Sequence, residues 1–222
     1  MKLTDYGESA KNMKKLFLAS SFWNVAKEFV EFLGTDPMGL TVGFVPTASV
    51  PNGDRYFVEK DKKAMILAGI GFKIKEVDLQ GKTEAELRGE FKGVDIIFVA
   101  GGNTFYLLRE AKKSGFDKIV KELVGQGVVY VGSSAGSYLV CPTIEASNWK
   151  PADKPRFGVI DFTALNLVPF IMSVHFTPEC ADIIKQAAPS CKYPIKILTD
   201  HQALAVEDDK TVLMGQGDEI IL

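Results

Sequence analysis

An apolar run from Val128 to Val140 is interrupted by Gly132-Ser133-Ser134-Ala135-Gly136. The spacing is G-x-S-x-G with Ser134 at the centre, the pattern of a nucleophile on a sharp turn between a buried strand and a helix. Small flanking residues let the backbone fold tightly and a substrate carbonyl approach. A helix starting there points N–H groups at the atom where negative charge develops in the transition state. A serine hydroxyl also needs a base, usually a histidine oriented by a carboxylate. Only two histidines are available, His175 in VHFTPE and His201 in LTDHQALAV.

Two chain orders follow. Ser134, His175 and Asp200 place the acid last, whereas Asp161 or Asp182 followed by His201 places the histidine last. The first predicts a peptidase or similar hydrolase that depends on His175; the second predicts an esterase or amidase that depends on His201. A third possibility keeps Ser134 as a turn residue in a protein that binds without turnover. VAGGNTFYLL, Val99 to Leu108, adds another strand ending in glycines, with Asn103 or Thr104 placed to cap a helix. It lacks the spacings of nucleotide-binding glycine loops, so a second donor to an oxyanion fits it better.

These residues need elements to position them. Apolar, β-branched runs alternate with helical patterns: KLFLAS then FWNVAKEFVEFLG, LTVGFVPTA then DRYFVEKDKKAMILAGIG, FKIKEVDL then TEAELRGEFKG, VDIIFVAGG then TFYLLREAKKSG. Strands buried on both faces and alternating with helices imply an α/β fold, a doubly wound, mostly parallel sheet with helices on both faces. The EKDKK block of the second helix reads as its solvated face, and Gly69 and Gly71 as its stop. Asp36-Pro37, Asn52-Gly53 and Asp153-Lys154-Pro155 mark turns. ALNLVPFIMSVHF reads as a long buried strand with His175 near its C-terminal end, where open α/β sheets place their sites. CADIIKQAA then reads as a helix. IKILTD, QALAVE, TVLMG and EIIL read as short strands of a β-rich C-terminal tail packed as hairpins at the sheet edge.

The 222 residues suit one domain, 1–222. A net charge of -2 recommends neither nucleic acid nor a membrane surface as partner. The apolar run Leu16 to Ser20 is too short for a signal peptide or a membrane span, which points to a cytoplasmic protein. Cys141, Cys180 and Cys191 match neither a zinc site nor a redox pair, and read as reduced thiols.

Four ordered segments, VAGGNTFYLL, VGSSAG, CPTIE and ALNLVPF with VHFT, resemble the peptidase E family of serine peptidases between about Val94 and Asp200. That family includes aspartyl dipeptidases and, more distantly, cyanophycinase, with a fold related to class I glutamine amidotransferases. The resemblance implies Ser134 as nucleophile, His175 as general base, and the backbone N–H groups of Gly102 and Ala135 as the oxyanion hole. The family's third member is an acid in a turn after the next strand, here LTDH, so Asp200 stands where the aspartyl dipeptidases have Glu; Glu179 and Glu207 are the nearby substitutes. It implies a short peptide as substrate and no metal or organic cofactor; a monomer or homodimer is expected. The arginine-bearing segment that holds an N-terminal aspartate in those dipeptidases has no counterpart between His175 and Asp200. Lys185, Lys192 and Lys196 could supply charge without bidentate recognition, and Arg156 is the only arginine after Ser134. The substrate-binding residues are therefore unassigned.

Overall fold

A computed structural model of the chain describes residues 13–53, 55–150 and 156–222. The expected Asp153-Lys154-Pro155 turn lies outside them.

Five strands alternate with helices, four of them in buried apolar runs and the edge strand KIKE largely exposed. β1 (Lys15–Ala19) leads to α1 (Ala26–Leu33), β2 (Thr41–Val45) to α2 (Tyr56–Ala68), and β3 (Lys73–Glu76) to α3 (Glu84–Glu90). β4 (Ile96–Val99) leads to α4 (Thr104–Ser114) and α5 (Phe116–Gly125), and β5 (Val129–Ser133) to α6 (Ala135–Leu139). The chain closes with β6 (Ile171–Ser173), α7 (Ala181–Ala187), β7 (Ile195–Ile197), β8 (Gln202–Glu207) and β9 (Lys210–Gly215).

The main sheet runs β3-β2-β4-β5-β1-β8-β9. Its first five strands are parallel, β8 is antiparallel to β1, and β9 is antiparallel to β8. Alternate residues of each central strand feed separate cores, which is why these strands read as continuously apolar. Leu16, Leu18, Ile97, Val99 and Tyr130 pack with α4, α5 and α6. Phe17, Ala19, Phe44, Phe98 and Val131 face α1 and α2. On that second face Phe98 meets Phe22 edge-on at 4.8 Å and stacks on Phe44 at 4.7 Å.

The helix ends follow their local chemistry. The Asn103 side chain accepts the Tyr106 N–H and caps α4, as its position predicts. Thr83 and Glu86 form a reciprocal capping box on α3. α2 stops at Ala68 with Gly69 following. Its EKDKK block departs from expectation at one residue, because Asp61 is buried at 1% exposure, in phase with buried Val58 and Met65 on the face turned to the sheet.

The C-terminal half differs more. The apolar segment before His175 is a strand only over Ile171–Ser173, and it pairs in parallel with β7 in a separate two-stranded sheet. Upstream of it, residues 164–167 form an irregular segment in which Ala164 and Leu165 are buried, Leu167 is half-buried and Asn166 is exposed. The N–H groups of Ala164, Leu165, Asn166 and Leu167 bond the carbonyls of Pro142, Leu139, Cys141 and Val140. The free carbonyls at the end of α6 thus take the donors that a longer strand would use. Of the four tail segments, only β8 and β9 form a hairpin; β7 lies beside β6, and EIIL is not a strand. No helix among the described residues is long and apolar enough to cross a membrane.

Candidate active site

The site forms where β5 and β1 end side by side. Ala19 is in register with Ser133, so Ser20 and Ser134 leave the sheet together, and the Ser134 N–H bonds the Ala19 carbonyl at 3.0 Å. Ser134 takes φ 51° and ψ -104°, a backbone conformation disfavoured for a residue with a side chain. Its neighbours hold it there. The Ser137 hydroxyl reaches the carbonyls of Ala19 and Gly132 at 2.8 and 3.0 Å, and the Tyr130 hydroxyl donates to the Gly136 carbonyl at 2.7 Å.

Space dictates both glycines of the motif. A Cβ at Gly136 would sit 2.1 Å from the Val99 carbonyl oxygen, and one at Gly132 would sit 2.7 Å from the Gly136 carbonyl carbon. Both obstacles are backbone and cannot rotate away. Gly136→Ala is expected to destabilise the fold by roughly 3 kcal/mol, read as a melting temperature about 6–12 °C lower in a chain of this size. A melting point within 2 °C of the wild type would refute this close approach.

The second glycine turn faces the same residue. A Cβ at Gly101 would lie 3.3 Å from the Ser134 Cβ. Gly102 has φ +144°, a Cβ there would strike the Ala48 carbonyl oxygen at 2.2 Å, and the Asn103 N–H bonds that carbonyl at 2.7 Å.

His175 reaches this turn from the end of β6. Its Nε2 lies 2.8 Å from the Ser134 Oγ, and its Nδ1 lies 2.5 Å from the Asp200 Oδ1. The imidazole beside it holds the Asp200 carboxyl well below the usual carboxylate range, against the opposing effect of partial burial. Asp200 is ionised at neutral pH, as an acceptor for Nδ1–H must be. The turn carrying it is tied down as well, since the Asn24 Nδ2 donates to the Asp200 carbonyl at 2.9 Å and the Thr199 N–H bonds the Gln202 Oε1 at 3.0 Å.

The structure therefore brings Ser134, His175 and Asp200 together. The other proposed order is not assembled. His201 is exposed and its ring makes no hydrogen bond or ion pair among the described residues, while Asp161 pairs with Lys112 at 2.9 Å. Glu207 pairs with Lys15 at 3.0 Å on the far end of β1, so it does not replace Asp200. Glu179 is exposed in the turn before α7. Cys180 is partly exposed near the Thr177 hydroxyl, and Cys141 and Cys191 are free thiols. Arg156 donates to the Asn148 Oδ1 at 2.7 Å, and Lys196 pairs with Glu219. A cleft of about 500 Å³ between α3 and α4 contains none of the three assembled residues.

Two residues at the site were missed in the sequence. Ser20 sits at 2.8 Å from the Asp200 Oδ1. Asp61 lies beneath the nucleophile's turn, beside the Ser133 hydroxyl and the Trp23 N–H, and its Oδ1 is buried without a hydrogen-bond partner. The helical phase Val58, Asp61, Met65 could have revealed the second; nothing near Ser20 could have revealed the first.

Burial pushes the Asp61 carboxyl from its ordinary 3.8 up to about 7, more than Ser133, Trp23 and the Lys60 ammonium lower it. Between those values the folded chain keeps a proton that the unfolded chain has lost. Stability from this group is therefore fully present below about pH 4, and it falls as pH rises to about 7. Asp61→Asn is neutral at every pH and should remove that slope. The variant is expected to exceed the wild type by up to about 4 kcal/mol at pH 8 and by much less at pH 5. Urea unfolding of both proteins at the two pH values reads the difference, and a gap that does not grow with pH would sink the prediction.

The chain is similar to known peptidases. The model of peptidase family S51 matches residues 16–214. An uncharacterized peptidase of Listeria monocytogenes is 34% identical over 206 residues, spanning 90% of this chain and 98% of its own. The peptidase E of a Nostoc species is 32% identical over 172 residues, 74% of this chain and 66% of its own. A 1.5 Å crystal structure of a candidate peptidase E protein from Listeria monocytogenes superposes with a TM-score of 0.82 at 32% identity, covering 92% of this chain and all of the other. A peptidase from an acI-B1 actinobacterium, 14% identical with a TM-score of 0.61 over 96% of this chain and 98% of its own, shares the fold. Matched along nearly all of its described length, the chain belongs to the peptidase E family, S51, and is a serine peptidase.

Proposed function

We propose that this peptidase is an exopeptidase of the dipeptidase type, acting on short peptides through an acyl-enzyme on Ser134. The observation that carries this reading is the continuous relay from the Ser134 Oγ through both nitrogens of His175 to the Asp200 Oδ1, at 2.8 and 2.5 Å. In the first step the Ser134 oxygen bonds to the scissile carbonyl carbon and Nε2 takes the serine proton. Asp200 stabilises the imidazolium so formed. Nε2 then passes its proton to the leaving amine as the C–N bond breaks. Water, deprotonated by the same nitrogen, releases the acyl group and regenerates Ser134. The backbone N–H groups of Ala135 and Gly102 are the proposed oxyanion donors, on turns that adjoin Ser134.

The dipeptidase assignment draws on relatives named peptidase E. Side-chain preference is left open because no arginine lies between His175 and Asp200. The test is hydrolysis of a dipeptide and aminoacyl-p-nitroanilide panel, including Asp-X, together with labelling by a fluorophosphonate. Serine-dependent turnover of dipeptides with a single label on Ser134 is expected. A folded protein that neither labels nor turns over any member would overturn the reading.

A further inference from the structure

Ser20 is fully buried at the end of β1, and its hydroxyl touches two members of the relay. It accepts the His175 backbone N–H at 2.8 Å and donates to the Asp200 Oδ1 at 2.8 Å, and it stands 3.4 Å from the His175 Nδ1. A hydroxyl has one hydrogen to give. With that hydrogen committed to the carboxylate, Ser20 cannot donate to Nδ1. Oδ1 then receives both the Ser20 O–H and the Nδ1–H, which leaves Nε2 as the bare nitrogen facing Ser134.

The backbone contact has equal weight. His175 has φ +57°, a left-handed conformation that a residue with a Cβ adopts only where its surroundings enforce it. Ser20 holds its N–H from one side. Lys150 holds the other, its ammonium on the carbonyls of Val174 and His175, the latter at 3.0 Å.

We propose that Ser20 is a fourth member of the hydrolytic constellation, a positioning residue whose one hydroxyl fixes both the orienting carboxylate and the backbone of the base, and thereby aims Nε2 at Ser134. The proposal rests on the relay having the function given above. Ser20 contacts no substrate, so its effect must pass through His175 and Asp200. Removing the hydroxyl frees the carboxylate to rotate and leaves the His175 N–H unpartnered; an ångström of misplacement at a reacting group can cost on the order of 100-fold in rate.

Ser20→Ala is accordingly expected to lower kcat about 10- to 100-fold with KM changed less than about twofold. Because one of its two contacts is to Asp200, the same substitution in an Asp200→Ala background should cost several-fold less than in the wild type, the remainder passing through the His175 N–H. A third readout needs no substrate: the low-field proton resonance of the His175 Nδ1–H bonded to Asp200, which should shift or broaden in Ser20→Ala. If that variant does not fold, Ser20→Cys keeps the volume with a weak donor and should change kcat and the resonance in the same direction. A kcat within threefold of wild type, an equal cost in both backgrounds, or an unmoved resonance in the variant would each overturn the role. A wild type without peptidase activity would defeat the functional reading instead, while the resonance still reports on Ser20.

Discussion

Ser134→Ala is expected to lower kcat/KM on the best dipeptide by about 10⁴- to 10⁶-fold. The side chain is partly exposed and, among the described residues, its hydroxyl bonds only the His175 Nε2, so removal deletes the bond-forming atom without opening a core cavity. The turn itself is held by the Ala19 carbonyl and the Ser137 and Tyr130 hydroxyls, none of which touches the Ser134 side chain. Melting temperature should therefore stay within a few degrees of wild type. Whatever rate survives would come from oxyanion donors and substrate binding acting on water. Residues that act as a unit are non-additive, so adding His175→Ala to Ser134→Ala should cost less than about tenfold more. The measurement is a full Michaelis curve for each variant on one preparation, with active sites counted by fluorophosphonate. A Ser134→Ala enzyme within tenfold of wild type would remove the acyl-enzyme from the mechanism.

Ser134 and a short list of bases were legible in the sequence for a physical reason, whereas the choice of His175 with Asp200 over His201 came from the family resemblance. A strained strand-to-helix turn leaves glycines at fixed spacing, and a chain with two histidines offers few bases. Ser20 was not legible. A serine after LFLA resembles any strand terminus, and its contacts exist only because β1 lies beside β5 while β6 and β7 bring His175 and Asp200 over both. Sheet order is a long-range property that no local pattern records. Asp61 failed for a different reason: the charged block around it suggested water, and the helical period that turns Asp61 inward was outweighed by composition. The segment before His175 shows the limit of hydropathy. Its apolar residues are buried as expected, yet Ala164 to Leu167 bond the end of α6 instead of a ladder, because burial specifies an environment and not a hydrogen-bonding partner. The terminal EIIL marks the opposite error, since an apolar run with no neighbouring strand remains exposed, with Ile221 at 87%.

The two histidines give the second large effect and divide the mechanisms cleanly. His175→Ala is expected to lower kcat/KM by about 10⁴-fold or more, while His201→Ala should stay within about twofold. His175 touches Asp200 in space and His201 follows it in sequence, so a general disturbance of this region would affect both. Only the imidazole of His175 spans the nucleophile and the carboxylate, at 2.8 and 2.5 Å, whereas His201 is exposed and its ring has no partner among the described residues. The His201 backbone is part of the structure, its carbonyl accepting the Gln216 N–H at 2.9 Å, and alanine preserves that bond. Replacing His175 by alanine leaves a residue with a Cβ at φ +57°, so the backbone penalty is already present in the wild type and the stability change should be small. The loss should therefore appear in kcat, with the fluorophosphonate reaction slowed in parallel because that reagent also needs an activated serine. Loss of activity in His201→Ala together with retention in His175→Ala would transfer the base to His201 and dismantle the relay. Equal, modest losses in both would show that the relay assembled at the end of β5 is not what limits turnover.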